Sequence, residues 1–467
     1  MPLLRVKNKS RIEKLLSNPV RLIIISFLIV ILAGTVLLTF PFASSTGNWT
    51  SPAITLFTST SATCVTGLVV VDTGSYWSGA GQTIILLMIQ IGGLGLATIA
   101  GAFYTFFFKI HSWRQIEITR ESTSNRGQVE LNRLLRWIIK FTAITELLGA
   151  ILLIWRFWPY YGRDAIWKGF FQAVSAFCNA GFDLHGNKLN GGFVSLTGFN
   201  HDPIVLMVTA ALIVAGGLGF MVWLNVISHL KGSKLIFHSR LVLRVTAILI
   251  IGGTVFYWLL EFRNTNSAIS LGSLPWYQQP FAALFQSVTT RTAGFNSIDQ
   301  LTLADSSKFL TVILMFIGAA PASTGGGIKV TTMAAVASGI VSDIRRKPSA
   351  IISRHYIKKS TARRASTIFV LSMLIVVVAS VLISIVEQDI LRQEQIPFLD
   401  IVLEVTSAFG TVGLTSIGTP ILHLTSRLIL VFCMFLGRVG PVAFALSLTG
   451  TEEQTQVVYP EAGILLG

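Results

Sequence analysis

The sequence predicts an all-α membrane protein of eight transmembrane helices, arranged as four repeated helix–pore loop–helix units around a central path. Three observations carry that expectation. Only 12% of the 467 residues are charged against 52% hydrophobic, and the mean hydropathy is +0.68, far from the roughly 25% charged content of soluble domains. A glycine-bearing string recurs four times at nearly constant spacing. Lys and Arg gather in clusters between apolar runs instead of spreading along the chain.

In chain order, a basic N-tail over residues 1–21 precedes an apolar run at 22–40. Its 19 residues approach the ~20 that cross a bilayer and exceed the ~7–15 of a signal-peptide core, so it reads as a retained helix. Repeat 1 spans 22–110, repeat 2 spans 133–230, repeat 3 spans 240–345, repeat 4 spans 362–450, and a short C-tail covers 451–467. Each repeat opens on an apolar run (22–40, 137–155, 241–260, 365–386) and closes on another (83–108, 204–227, 309–341, 428–448).

Of the 36 Lys and Arg, 25 lie in four clusters at 5–21, 109–140, 231–244 and 345–364. The positive-inside rule places those clusters, and both termini, in the cytoplasm of a plasma-membrane protein. Glu452, Glu453 and Glu461 of the C-tail are an acidic exception. A net charge of +15 distributed this way argues against a nucleic-acid partner. Cys64, Cys178 and Cys433 form neither an even disulfide framework nor a metal-ligand spacing. No His-Glu-x-x-His string occurs, and no paired carboxylates stand at catalytic spacing, so an enzyme is not expected.

The recurring strings are TSTSATCVTGL (58–68), FFQAVSAFCNAGF (170–182), LFQSVTTRTAGF (284–295) and LEVTSAFGTVGL (403–414). They align without gaps on Gly67, Gly181, Gly294 and Gly413, which stand 114, 113 and 119 residues apart. Ten residues before each glycine sits a large apolar residue, Phe57, Phe171, Leu284 or Leu403, and another follows it directly. All four strings fall in stretches poor in basic residues, so the loops share one face of the membrane.

A loop this short enters and leaves by the same face. Non-helical backbone is tolerated at such depth only where protein buries it or it lines water, and four loops meeting on one axis meet that condition. Each helical half points the negative end of its dipole at the centre. Each extended half offers carbonyls in place of a cation's hydration water, with glycine permitting the backbone angles. The potassium-filter candidates are Thr63, Cys64, Val65, Thr66 and Gly67; Phe177, Cys178, Asn179, Ala180 and Gly181; Thr290, Arg291, Thr292, Ala293 and Gly294; and Phe409, Gly410, Thr411, Val412 and Gly413. Asp72 and Asp183 lie just beyond two loops, as cation-concentrating groups or as ordinary solvated carboxylates. Cys64 and Cys178 are expected to make the path sensitive to thiol reagents.

A second glycine pattern follows the loops: GGLG at 92–95, GGLG at 216–219, GAAPASTGGG at 318–327 and GRVG at 437–440. The first two read as close helix–helix packing, since a dinucleotide fingerprint needs a strand–turn–helix setting. The third predicts a break inside the bilayer, because Pro321 and three successive glycines cannot continue a regular helix. Gly318, Ala319, Ala320, Pro321, Ala322, Ser323, Thr324, Gly325, Gly326 and Gly327 then form a gate candidate below the filter, with a passive kink as the plainer alternative. Arg438 falls near mid-bilayer, where a charge faces a water-filled path, and is expected to line it. Lys329 is either a gate element or a snorkelling side chain. Glu146 is read as a helix–helix hydrogen-bonding residue with its role open.

The strings FCNAGF, TRTAGF and FGTVGL, the PASTGGGIK stretch and the GRVGP around Arg438 resemble those of the potassium-transporter superfamily that contains the bacterial Trk and Ktr and plant HKT proteins. The resemblance covers nearly the whole chain. Eight crossings without two extra leading helices make it most similar to the ion-translocating membrane subunit of bacterial Ktr systems, the KtrB type. The resemblance implies potassium uptake, stimulation by sodium, and a homodimer with one pore per protomer. It implies a cytosolic ring of regulatory subunits that bind ATP or ADP and NAD-type ligands through their own domains, with no nucleotide bound by this chain. It also places the gate at 318–329 with Arg438 as part of it. Some plant relatives carry serine at the first filter position and pass sodium; Gly67 follows the potassium pattern, and a sodium-permeable cation transporter of the same superfamily is the alternative. Secondary transporters with inverted repeats would put equivalent loops on opposite faces, and a voltage sensor would need regularly spaced arginines. The loop at 345–359 is a docking candidate for the regulator, with membrane lipid headgroups as the equal alternative.

Overall fold

The computed structural model describes residues 19–95, 125–186, 192–346, 350–353 and 355–448. Most of the N-tail, residues 96–110 of the first repeat, part of the basic cluster at 109–140 and the C-tail lie outside the described residues. The described chain is mostly helical. The first set of helices is α1 (Pro19–Thr39), α2 (Pro52–Cys64) and α3 (Gly79–Leu94). The second is α4 (Asn125–Tyr161), α5 (Asp164–Phe177), α6 (Pro203–Gly217) and α7 (Phe220–Leu230). The third is α8 (Phe237–Glu261), α9 (Gln279–Thr289), α10 (Asp305–Phe316) and α11 (Val330–Ile344). A small antiparallel hairpin, β1 (Ala350–Ile352) with β2 (His355–Ile357), leads into α12 (Lys359–Val386), α13 (Phe398–Gly410), α14 (Leu424–Val439) and α15 (Pro441–Leu448).

Among the described residues, α1, α4, α8 and α12 each hold a stretch long and apolar enough to cross a bilayer alone. They are the runs that the sequence places before each glycine string. Only 22–33% of those stretches is buried within the chain, and Ile29, Ile144, Leu148, Ile248, Ile251 and Leu374 project outward. A helix so apolar on its outer side has lipid as its natural solvent, and the chain is an integral membrane protein.

The runs after the strings do not form single straight helices. The α6–α7 pair bends by 99°, α10 and α11 are separated by the loop at 317–329, and α14 and α15 part at Gly440. Each of these three interruptions carries a glycine with a left-handed backbone, Gly219 (φ +88°), Gly327 (+63°) and Gly440 (+94°), and α3 likewise ends on Gly95 (+81°), the last described residue of its run. The sequence reading expected a break only in the third run, so this is a correction. A residue with a Cβ is strained at those angles, and Pro441 then starts α15 at a position where a missing N–H costs nothing.

The short helices α2, α5, α9 and α13, of 11 to 14 residues, span only about 16–21 Å at 1.5 Å per residue. They are surrounded by the others, and the core sits on them: Phe57, Phe171, Phe285 and Leu403 are at most 1% exposed.

Candidate functional site

Each of the four short helices ends three to five residues before its glycine, and the backbone then alternates in hand. The residue two before each glycine is left-handed: Val65 (φ +59°), Asn179 (+60°), Thr292 (+68°) and Thr411 (+51°). The glycines are left-handed too, Gly67 (+92°), Gly181 (+71°), Gly294 (+78°) and Gly413 (+102°), whereas the residues between them are not. Such alternation turns successive carbonyls to the same side instead of to opposite sides. For a β-branched valine or threonine the left-handed region costs on the order of 1–3 kcal/mol, so something must enforce it.

Hydroxyl residues do so. The amides of Thr66, Ala180 and Val412 each donate to a serine carbonyl, Ser61, Ser175 and Ser407 respectively, at 2.8 Å. The Gly67 and Gly413 amides donate to the Ser61 and Ser407 hydroxyls at 3.0 Å, and the Ser175 hydroxyl donates to the Phe182 carbonyl at 2.6 Å. In the third loop Thr289 takes over: its carbonyl accepts from Ala293 (3.0 Å) and Gly294 (3.2 Å), and its hydroxyl donates to the Phe295 carbonyl at 2.9 Å. That loop is one residue shorter than the others between anchor and glycine, Thr289 standing five residues before Gly294 where the serines stand six before theirs. The gapless alignment therefore misassigned its helical side, and Phe285, fully buried, stands where Leu284 was expected, with Leu284 only partly buried.

The four glycines close a ring. A Cβ built on Gly67 would lie 2.6 Å from the Ala180 carbonyl oxygen; on Gly181, 2.7 Å from that of Ala293; on Gly294, 2.0 Å from that of Val412; and on Gly413, 2.3 Å from that of Thr66. Each glycine thus backs onto the carbonyl that precedes the next glycine, and the fourth returns to the first. At each of these contacts a side chain in place of the glycine hydrogen would collide with a backbone oxygen.

Four of the other candidates have side chains engaged elsewhere. Cys64 packs in an apolar cluster with Leu430 and Met434, Phe177 and Cys178 join another, and the Arg291 guanidinium turns back to the Thr246 hydroxyl of α8 at 3.5 Å. Cys64 and Cys178 are fully buried, which leaves the expectation of thiol-reagent sensitivity without support.

The second glycine pattern packs against the last turns of the short helices that lead into the loops. A Cβ on Gly92 would sit 2.0 Å from the Thr63 carbonyl oxygen, on Gly216 1.8 Å from that of Phe177, and on Gly437 1.8 Å from that of Phe409. These three carbonyls stand four residues before their ring glycines. The reading of GGLG as close helix–helix packing holds, the partners being carbonyls in the last turns of α2 and α5.

The loop at 318–329 lies against one side of the ring. Thr324 donates its hydroxyl to the Phe177 carbonyl at 3.1 Å and meets the Asn179 side-chain amide at 3.1 Å. Cβ atoms on Gly325 and Gly326 would collide with the Thr292 and Thr411 hydroxyls at 2.1 and 2.2 Å. The Ala320 amide donates to the Gly217 carbonyl (3.0 Å), and that of Phe220 to the Ala322 carbonyl (3.0 Å). Lys329 donates to the Gly325 carbonyl at 2.6 Å. Arg438, in the last turn of α14, donates to the Thr324 carbonyl and also to the Gly92 and Gly93 carbonyls at the end of α3. It therefore bridges the loop to the first set of helices.

On the other side of the ring an open cavity is lined by Gly67, Gly181, Gly294, Gly413, Asp72 and Asp183. Asp72 is committed to structure: it accepts from the Ser75 amide (2.8 Å) and hydroxyl (2.7 Å) and the Phe193 amide (2.8 Å). Asp183 has the His185 amide at 3.0 Å. Burial pushes its carboxyl up to about 7, against the pull of the His185 amide and Lys168 and with some help from Asp72.

Sequence reasoning did not find Ser61, Ser175, Ser407 and Thr289 as loop anchors, nor Gln90 as a partner of Glu146. A hydroxyl six residues before the glycine in three strings was the available signal.

Against known proteins, residues 2–457 match the family model TrkH, described as cation transport protein. The chain is 38% identical over 462 residues to the potassium/sodium uptake protein NtpJ of Enterococcus hirae, covering 98% of this chain and 99% of that one. It is 37% identical over 450 residues to Ktr system potassium uptake protein B of Vibrio alginolyticus (96% and 94%) and 36% identical over 452 residues to that of Bacillus subtilis (96% and 97%). The fold is similar to the potassium transporter TrkH of Vibrio parahaemolyticus, with a TM-score of 0.68 at 18% identity, over 96% of this chain and 86% of that one.

Proposed function

The chain belongs to the TrkH family of cation transport proteins, a family of transporters and not of enzymes, and from that premise we propose that it takes potassium into the cell through the ring of glycine loops. The observation that carries this reading is the closed set of four contacts in which each glycine abuts the carbonyl of the next loop. A cation entering there exchanges water for backbone oxygen, at a site whose donors are held by the serine and threonine anchors and need little rearrangement. The ends of α2, α5, α9 and α13 add their negative dipole ends at the same place. The names of the Vibrio alginolyticus and Bacillus subtilis relatives agree with potassium as cargo, and that of the Enterococcus hirae relative supports sodium as a second ion.

On this reading the chain crosses the membrane eight times with both termini inside. The 318–329 loop, with Lys329 and Arg438, closes the inner side of the path, and its opening is controlled by a cytosolic ring of nucleotide-binding subunits on a homodimer of this chain. The Ktr-system names of the relatives support such a regulator. The direct test is potassium uptake in cells lacking their own high-affinity systems. The intact chain restores growth at low potassium, and Gly294→Ser lowers discrimination against sodium at least about tenfold, since a Cβ there meets the Val412 oxygen at 2.0 Å and displaces a coordinating group. An unchanged potassium-to-sodium preference removes the filter assignment.

A further inference from the structure

Glu146 lies within the apolar stretch 133–161 of α4, is 7% exposed, and forms no ion pair among the described residues. An ionisable group in such a stretch is expensive and calls for a functional reason. Its surroundings are specific. Gln90 of α3 donates Nε2 to Glu146 Oε2 at 3.4 Å, and the Cys178 thiol lies 3.4 Å from Gln90 Oε1 and 3.9 Å from Glu146 Oε1. Three elements, α3, α4 and the second glycine loop, thus meet in one polar triangle behind the ring. Gly93, three residues on from Gln90, makes room for it: a Cβ there would press on the Cys178 sulfur at 2.7 Å.

The equivalent position in the other loops is treated differently. Cys64 packs among apolar residues, Arg291 reaches Thr246, and Gly410 has no side chain. The second loop is also the one that the 318–329 loop grips from below, through the Thr324 hydroxyl on the Phe177 carbonyl. When that loop moves to let an ion pass, the second glycine loop loses a hydrogen bond four residues before Gly181. A fixed support from behind then has a purpose.

We propose that Glu146, together with Gln90, is a positioning residue that fastens the second glycine loop through Cys178, keeping the carbonyls from Phe177 to Gly181 in place while the 318–329 loop moves. The proposal rests on the filter reading above. The triangle needs hydrogen-bonding atoms at Glu146, not its charge, so Gln is a conservative replacement and Leu is not.

The test measures potassium and sodium uptake by E146Q, E146L and C178A, each alone and with residues 322–326 deleted, at matched membrane levels, beside a Gly181→Ser control. E146Q keeps the potassium preference of the intact chain. E146L and C178A lower it roughly tenfold, the scale of one lost hydrogen bond to a charged or buried group, and lower it further in the loop-deleted chain. If Gly181→Ser lowers the preference while E146L and C178A do not, the positioning role is overturned and the filter stands. If Gly181→Ser changes nothing, the filter reading itself falls. Should E146L fail to reach the membrane, C178A decides the matter alone, since an unaltered preference there severs the link between Glu146 and the loop.

Discussion

Val65, Asn179, Thr292 and Thr411 pay for the ring in backbone strain, and only the neighbouring serine and threonine bonds make four such residues tolerable at once. Nothing in their identity announces it, since valine and threonine ordinarily avoid that region. Glycine is legible as a residue that permits the geometry; the residue two positions earlier, forced into it, is not. The same scale governs the mouth. With its carboxyl pushed up to about 7, Asp183 is charged above that pH and neutral below it, so the field that concentrates cations over the ring weakens as the medium acidifies. Uptake at subsaturating potassium is expected to drop roughly fivefold between pH 8 and pH 6, the order of effect for one unit charge near a protein surface, and Asp183→Asn should flatten the profile at its low end. A profile in Asp183→Asn that still follows that of the intact chain would assign the dependence elsewhere.

Among the elements, the four long apolar helices and the strings that follow them were readable because length and hydropathy are direct properties of composition. Two features were not. The third loop's missing residue has no mark of its own: Val288 stands six residues before Gly294, where the other strings carry serine, and only the bonds from Ala293 and Gly294 to the Thr289 carbonyl show that the anchor is one place later. The breaks at Gly219 and Gly440, and the end of α3 at Gly95, are masked because Gly-x-x-Gly within an apolar run has the composition of a tightly packed continuous helix. The break at 318–329 was visible through Pro321 and its glycines. That loop is held by Gly216, Gly217, Phe177 and Arg438, so shortening it should open the inner side. Deleting Ala322 to Gly326 is expected to raise potassium flux without the regulator by about tenfold or more, equivalent to about 1.4 kcal/mol of barrier. Flux that stays at the resting level would make the loop a passive kink.

For the molecule as a whole, the membrane assignment follows from outward-facing apolar side chains, but which side each loop occupies rests on charge counting and is open to direct test. The three native cysteines are buried, which leaves a clean background for labelling. Asn48→Cys, in the exposed loop after α1, should react with an impermeant maleimide in intact cells, and Ser233→Cys, between α7 and α8, only after permeabilisation. Labelling of both from one side would refute the eight-crossing arrangement. The contacts of Glu146 were beyond sequence reading for a related reason: Gln90 and Cys178 are 56 and 32 residues away along the chain, and only the assembled fold brings them together. The circular order in which every ring glycine leans on its successor has a further implication. A closed loop of this kind has no free end at which a disturbance can relax, so a bulky change in one quarter should be felt first by the quarter after it. Because one polypeptide writes all four quarters separately, each can be tuned alone, a freedom that an assembly of four identical subunits lacks.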